Sequence, residues 1–222
     1  MTAKSLFTHR FEPGDRTGAP PLLLLHGTGG DENDLLQLGA MISPGSPLLS
    51  PRGRVLENGM PRFFRRLAEG VFDEEDVRYR ALELGEFVQD ARERYGIDAP
   101  LAVGYSNGAN IAAALLMMNP RALSGAILLR AMVPLTDPPE ANLDGKPVLI
   151  LSGRQDPIVP ADNADALASM LSRTGAKVDH RILPVGHQLS QADVALTGRW
   201  LAEATQHTTA FHDRFRHDER RP

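Results

Sequence analysis

The stretch Leu101-Ala102-Val103-Gly104-Tyr105-Ser106-Asn107-Gly108, running on into Ala109-Asn110-Ile111-Ala112-Ala113-Ala114-Leu115-Leu116-Met117-Met118, decides the fold. Its first part is a short apolar run without alternation, as expected of a strand buried on both faces. Residues 109–118 are nearly all apolar, which suits a helix packed deep against a sheet, and Asn119-Pro120 ends it. Between the two lies a G-x-S-x-G pentapeptide, Gly104 to Gly108. A serine there must sit on a very sharp strand-to-helix turn, with its hydroxyl above the sheet and flanking glycines relieving the clash that side chains would cause. The dipole of the following helix favours negative charge developing at that point. Alone, such a pentapeptide arises by chance, and a plain tight turn carrying a surface serine is the alternative. The flanking strand and helix give it meaning.

Working outward, further apolar runs occupy residues 21–25, 125–129 and 148–152, each followed by turn residues. Residues 178–183 alternate more, which places them nearer a sheet edge. Residues 7–11 predict an antiparallel N-terminal strand, and 47–50 another short central one. Helices fall between. Asp73 is a candidate N-cap, with Glu74, Glu75 and Asp76 set against the helix dipole. Apolar positions Val77, Leu84, Phe87, Val88 and Ala91 continue that helix to about Arg94, and Gly96 closes it. Residues 161–172 and 191–204 complete the set. Strands alternating with helices predict an α/β fold with a mainly parallel central sheet and helices on both faces. Residues 1–206 read as one domain, and the polar, Arg- and His-rich stretch 207–222 as a flexible tail. The spacing of His207, His212 and His217 does not stack them on one helical face, which argues against a metal site.

Bulk properties narrow the function. The chain has 222 residues, 42% hydrophobic and 23% charged, with 24 basic and 28 acidic residues for a net charge of −4. No basic run in the body of the chain forms the face that nucleic-acid phosphates would require. Cysteine is absent, which excludes disulfides, a thiol nucleophile and thiolate metal sites. The N-terminus lacks the apolar region of a signal peptide, and no stretch approaches the roughly 20 apolar residues of a membrane span. The expectation is a soluble, cytoplasmic protein without stable membrane insertion.

The run ending at Leu25 leads straight into His26-Gly27-Thr28-Gly29-Gly30-Asp31-Glu32-Asn33-Asp34. A glycine-rich loop at a strand end lets backbone amides approach a ligand. Acyl transfer needs two N–H donors aimed at the oxyanion of the tetrahedral intermediate, and Thr28 and Asn107 are assigned to that task. A phosphate cradle is the competing reading, but the P-loop lysine and the G-x-G-x-x-G spacing are both missing. His26 is assigned a structural role, holding the loop by hydrogen bonds.

A nucleophilic serine needs a base and an acid in the chain order serine, acid, histidine. The run 148–152 opens into Gly153-Arg154-Gln155-Asp156-Pro157-Ile158-Val159-Pro160, which puts Asp156 at the same sheet edge as Ser106. One helix–strand unit later, Pro184-Val185-Gly186-His187 returns to that edge. His180 lies inside a strand, His9 is too early, and Asp137 and Asp144 fall in a Pro-rich connection. The candidates are therefore Ser106 as nucleophile, His187 as base and Asp156 as its orienting acid. The alternative is that Asp156 caps a turn and His187 packs passively.

With these residues placed, the chain resembles the phospholipase/carboxylesterase family of α/β hydrolases, which includes the acyl-protein thioesterases. The resemblance covers about residues 20 to 205. It rests on His26-Gly27-Thr28-Gly29-Gly30, Gly104-Tyr105-Ser106-Asn107-Gly108, Asp156-Pro157-Ile158-Val159-Pro160 and Gly186-His187. Ser50-Pro51-Arg52-Gly53 and Asn58-Gly59-Met60-Pro61-Arg62-Phe63-Phe64 are similar to the small bacterial carboxylesterases of that family. The resemblance implies an α/β-hydrolase fold, hydrolysis of small carboxylic esters with thioesters as a second class, no cofactor or metal, and compatibility with a homodimer.

Residues 130–146 are too few for the helical cap that many α/β hydrolases insert there, so an open site without a sizeable cap domain is expected. Candidate substrate-pocket walls are Phe63, Phe64, Phe72, Met132, Val133 and Ile158, each with core packing as its alternative. Arg52 and Arg130, near predicted strand ends, would pair either with an anionic substrate group or with Asp or Glu. Two rival functions remain: a non-catalytic binding module on the same fold, and another acyl-transfer chemistry on the same three residues.

Overall fold

The computed structural model describes residues 7–218, with side chains described through Ala204. In chain order the elements are β1 (His9–Glu12), β2 (Leu22–Leu25), α1 (Leu36–Ile42), β3 (Leu48–Pro51), β4 (Val55–Glu57), β5 (Met60–Arg62), β6 (Arg66–Ala68), β7 (Val71–Phe72), α2 (Glu74–Tyr95), β8 (Leu101–Tyr105), α3 (Asn107–Met118), β9 (Gly125–Leu129), β10 (Pro147–Gly153), α4 (Ala161–Arg173), β11 (Lys177–Leu183) and α5 (Gln191–Asp218). Seven strands form one sheet in the order β1-β3-β2-β8-β9-β10-β11. All neighbours are parallel except β1, which pairs antiparallel with β3 at one edge.

The unalternating runs are explained by burial on both faces. Leu23 and Leu25 of β2, Ala102 of β8, Ala126 and Leu128 of β9 and Ile150 of β10 face a core closed by α2, α3 and α4. The intervening residues, Leu22, Leu24, Val103, Ile127, Leu149 and Leu151, face a second core that includes Ile42 of α1 and Trp200 and Leu201 of α5. Leu22 to Leu25 are all fully buried, and each leucine contributes about 1.5–3 kcal/mol relative to exposure.

Helix α2 begins where its carboxylates predict. The Asp73 side chain accepts from the Asp76 amide at 3.2 Å, and Gly96 ends the helix in the left-handed conformation at φ 63°. Several elements differ from the sequence reading, the short strands β4 to β7 and helix α1 by being absent from it and helix α5 by its length. Helix α1 was not predicted, because it is short and carries Gly39, a poor helix former. Helix α5 runs to Asp218 instead of stopping at Ala204, so the expected flexible tail is helical in backbone over 207–218; neither glycine nor proline interrupts that stretch. Residues 219–222 of the expected tail lie outside the described residues, and the histidines at 207, 212 and 217 fall where no side chain is described.

The order of pairing positions the site. From β2 the chain moves to β3 on one side, whereas β8 lies on the other, and ligands of open α/β sheets bind in the crevice at such a switch point. The register places Leu25 beside Gly104, Tyr105 beside Leu129, Leu129 beside Leu151 and Gly153 beside Leu183. Five loops therefore emerge at one sheet edge. No helix or strand is assigned between β9 and β10, so no cap covers this edge from there. Two small hairpins, β4–β5 and β6–β7, stand beside it instead.

Candidate active site

The turn after β8 is as sharp as its sequence requires. Ser106 has φ 52° and ψ −113°, a conformation that non-glycine residues rarely adopt. A side chain at Gly108 would drive into the carbonyl oxygen of Leu25, and one at Gly104 would lie 2.6 Å from Ala109 Cα. The two glycines let β8 turn into α3 while the β2 loop passes directly alongside. The Ser106 amide donates to Leu129 O at 2.8 Å, locking the turn to the neighbouring strand.

Ser106 Oγ lies 3.0 Å from His187 Nε2, and His187 Nδ1 lies 2.8 Å from Asp156 Oδ2. The second oxygen, Asp156 Oδ1, accepts the amides of Ile158 at 2.8 Å and Val159 at 3.0 Å. Its carboxylate is fully buried, and the imidazole is partly exposed, at 14%. With both Asp156 oxygens held as acceptors, Nδ1 carries a proton toward Asp156 and Nε2 is left to accept from Ser106. The three candidates, far apart in the chain, thus form one hydrogen-bonded relay.

The loop after β2 is braced by His26. Its Nδ1 donates to Gly27 O at 2.6 Å, and its Nε2 accepts the Gly53 amide at 2.9 Å. A second proton has no place on that ring, and burial pushes its pKa down despite nearby carboxylates. Thr28 lines the same cavity as Ser106 and Asn107, and its Oγ1 accepts from Arg62 Nη1 at 2.8 Å. The first amides of a helix lack intrahelical acceptors, which leaves the Asn107 N–H at the start of α3 available. The Asn107 Oδ1 is committed elsewhere, accepting the Phe63 amide at 2.7 Å.

The cavity at Ser106 measures about 350 Å³. Of the expected walls it includes Phe72, Met132 and Ile158, but not Phe63, Phe64 or Val133. Phe63 and Phe64 are buried in the main core, and Val133 packs against it. The sequence reading missed Arg62, Arg66, Tyr105 and Asn110 on the wall. The Asn58-Gly59 pair, a strong two-residue hairpin signal, could have located Arg62. It forms the β4–β5 turn with φ 52° and 79°.

Neither arginine flagged at a strand end is free. Arg52 Nη2 donates to Glu32 Oε1 at 2.7 Å. Arg130 forms a buried two-pronged pair with Asp193 at 2.8 and 2.9 Å. It also donates from Nε to Gly186 O at 2.9 Å and from Nη2 to Gln188 O at 3.3 Å, gripping the loop on both sides of His187. Burial raises the Asp193 carboxyl, but Arg130 and Ser190 outweigh it and hold it below the usual range. Tyr105 adds a third hold, from its hydroxyl to His187 O at 3.2 Å.

A second serine–histidine–aspartate grouping exists on the outer edge of the sheet. Ser152 Oγ is 2.8 Å from His180 Nε2, and His180 Nδ1 is 3.3 Å from Asp165. Ser152 is buried within β10 and does not line the cavity, so it has no room for a substrate. Among the described residues no group of three or more His, Asp or Glu is placed to hold a metal ion, and no helix is long and apolar enough to cross a membrane.

Parallel sheet, switch-point crevice, strained serine turn and histidine loop define an α/β hydrolase. The model of the phospholipase/carboxylesterase family matches residues 10–203, and the chain belongs to that family. It is 46% identical to MhqD of Bacillus subtilis (strain 168) over 198 residues, covering 88% of this chain and 98% of the relative. Among solved structures it is similar to the Bacillus cereus carboxylesterase, with 47% identity, a TM-score of 0.88, and 90% and 96% of the two chains covered. A carboxylesterase from Mesorhizobium loti is 33% identical with a TM-score of 0.83, over 91% and 97% of the two chains.

Proposed function

We propose that this protein is a serine esterase cleaving carboxylic esters, with thioesters as a second class, through an acyl-enzyme at Ser106. The observation that carries the reading is the relay Ser106 Oγ–His187 Nε2–Asp156, with distances of 3.0 and 2.8 Å. Ser106 Oγ attacks the ester carbonyl as His187 Nε2 takes its proton. The Thr28 and Asn107 amides receive the oxyanion. His187 then returns the proton to the departing alkoxide or thiolate, leaving Ser106 acylated. A water, deprotonated by the same nitrogen, releases the acid. Asp156 fixes the Nδ1–H tautomer and steadies the imidazolium without taking the proton.

The test is hydrolysis of p-nitrophenyl esters of graded acyl length by the wild type and by Ser106→Ala. Turnover in the wild type, lost by several orders of magnitude in a folded mutant, supports the nucleophile, and the length optimum sizes the acyl site. No turnover on any ester, with no labelling of Ser106 by a fluorophosphonate, overturns the proposal in favour of a binding module.

A further inference from the structure

The wall of the Ser106 cavity carries two arginines that the acyl-transfer chemistry does not use. Arg62, at the end of β5, is only 3% exposed. It donates from Nε to Phe64 O at 3.2 Å and from Nη1 to Thr28 Oγ1 at 2.8 Å. Arg66 opens β6 and donates from Nε to Glu57 Oε1 at 2.9 Å. That same carboxylate, through Oε2, is the ion-pair partner of Arg62 at 3.1 Å. Two guanidinium groups therefore share one carboxylate, with a unit of positive charge left over.

No other described carboxylate contacts either guanidinium, and both Asp156 oxygens are taken by His187 Nδ1 and the Ile158 and Val159 amides. Arg130 and Asp193 neutralise each other. Glu69 also lines the cavity but is exposed, where water screens it. Both Nη groups of Arg66 have no hydrogen-bond acceptor among the described residues. Burial, followed by repulsion from Arg66, lowers the pKa of Arg62, as expected of a cation short of counter-charge. One part of the remaining lining is apolar, formed by Phe72, Met132, Ile158 and Val159, beside the polar Asn110 and Gln188. A cavity with an apolar wall, a spare guanidinium fork and a nucleophilic serine suits a short methylene chain with an ester at one end and a carboxylate at the other.

We infer that Arg66, backed by Arg62, forms an anion subsite in this cavity, and that the preferred substrates are half-esters of short dicarboxylic acids. The inference rests on the esterase reading for turnover, but the subsite itself is a matter of binding. It is tested first on Ser106→Ala, where no chemistry intervenes. NMR titrations would compare monomethyl esters of the C4 to C8 dicarboxylic acids with methyl esters of fatty acids of equal length. Roughly tenfold tighter binding of the best half-ester is expected, declining as salt is raised. Arg66→Gln, introduced beside Ser106→Ala, removes the difference, and Arg66→Lys restores part of it.

Equal affinity for the two series, or a preference unchanged by Arg66→Gln, overturns the subsite. In the wild type, the same preference is expected as a roughly tenfold higher kcat/KM for the best half-ester, expressed mainly in KM. Hydrolysis of neutral esters without any half-ester preference sinks the subsite and leaves the esterase standing. Selective binding without turnover of either series does the reverse.

Discussion

Three non-glycine residues have positive φ among the described residues, namely Asn58, Ser106 and Arg130, and all three serve the same edge of the sheet. Asn58 turns the hairpin that delivers Arg62, Ser106 presents the proposed nucleophile, and Arg130 grips the histidine loop. Such strain costs of order 1–3 kcal/mol per residue and persists where the surroundings over-determine it. At Ser106 this predicts a trade. Ser106→Gly removes the strain at the expense of chain entropy, so urea unfolding should show a mutant about 1 kcal/mol more stable than the wild type, with ester turnover abolished. Asp156→Asn makes a different prediction, because it leaves the shape intact and offers Nδ1 a donor in place of an acceptor. Its kcat should fall by about 10⁴ with KM little changed, measured on the p-nitrophenyl ester the wild type cleaves fastest. That Ser106, Asp156 and His187 would meet was legible in the sequence because each follows a recognisable strand. The arginines were not, since nothing local separates a guanidinium facing a cavity from one facing water.

At the scale of elements, the Arg130–Asp193 pair fastens the start of α5 to the end of β9 and holds the His187 loop between them. Removing one member leaves an unpaired buried charge and costs about 3–5 kcal/mol. Arg130→Met should therefore destabilise by that amount in denaturant, whereas Arg130→Met combined with Asp193→Leu should lose less than either single change. A surviving Asp193→Asn protein should also show kcat lowered by up to about 100-fold, since small displacements of a catalytic group are costly. A kcat at the wild-type level would mean that Arg130 and Tyr105 hold the loop without the Asp193 carboxylate. The elements missed by the sequence reading share a cause. Strands β4 to β7 are two or three residues long, too short for a period-2 pattern, and α1 spans seven residues. The long apolar strands and α3 stood out because burial on both faces leaves no polar positions to blur them.

For the molecule as a whole, two groups make stability depend on pH in the same direction. The folded state holds His26 below its ordinary pKa of 6.5, so below that pH the unfolded chain binds more protons and stability declines as pH falls. Asp193 lies below its ordinary 3.8; its contribution is present above that value and is lost as pH drops through the folded one. Unfolding free energy should thus start to decline near pH 6.5 and decline again in acid. His26→Gln should flatten the first limb and leave the second, as urea titrations at a series of pH values would show. The residues proposed to react hang from loops of the seven-stranded frame, whereas Arg62, Arg66, Glu69, Gly70 and Phe72 of the wall belong to the segment 55–72 that forms the two hairpins. Part of the wall is thus written in a segment of chain that carries none of the three relay residues. A relative's hairpins grafted between Arg54 and Asp73 should therefore shift the substrate range, and should keep turnover where the graft preserves the holds that Phe63 and Arg62 place on Asn107 and Thr28.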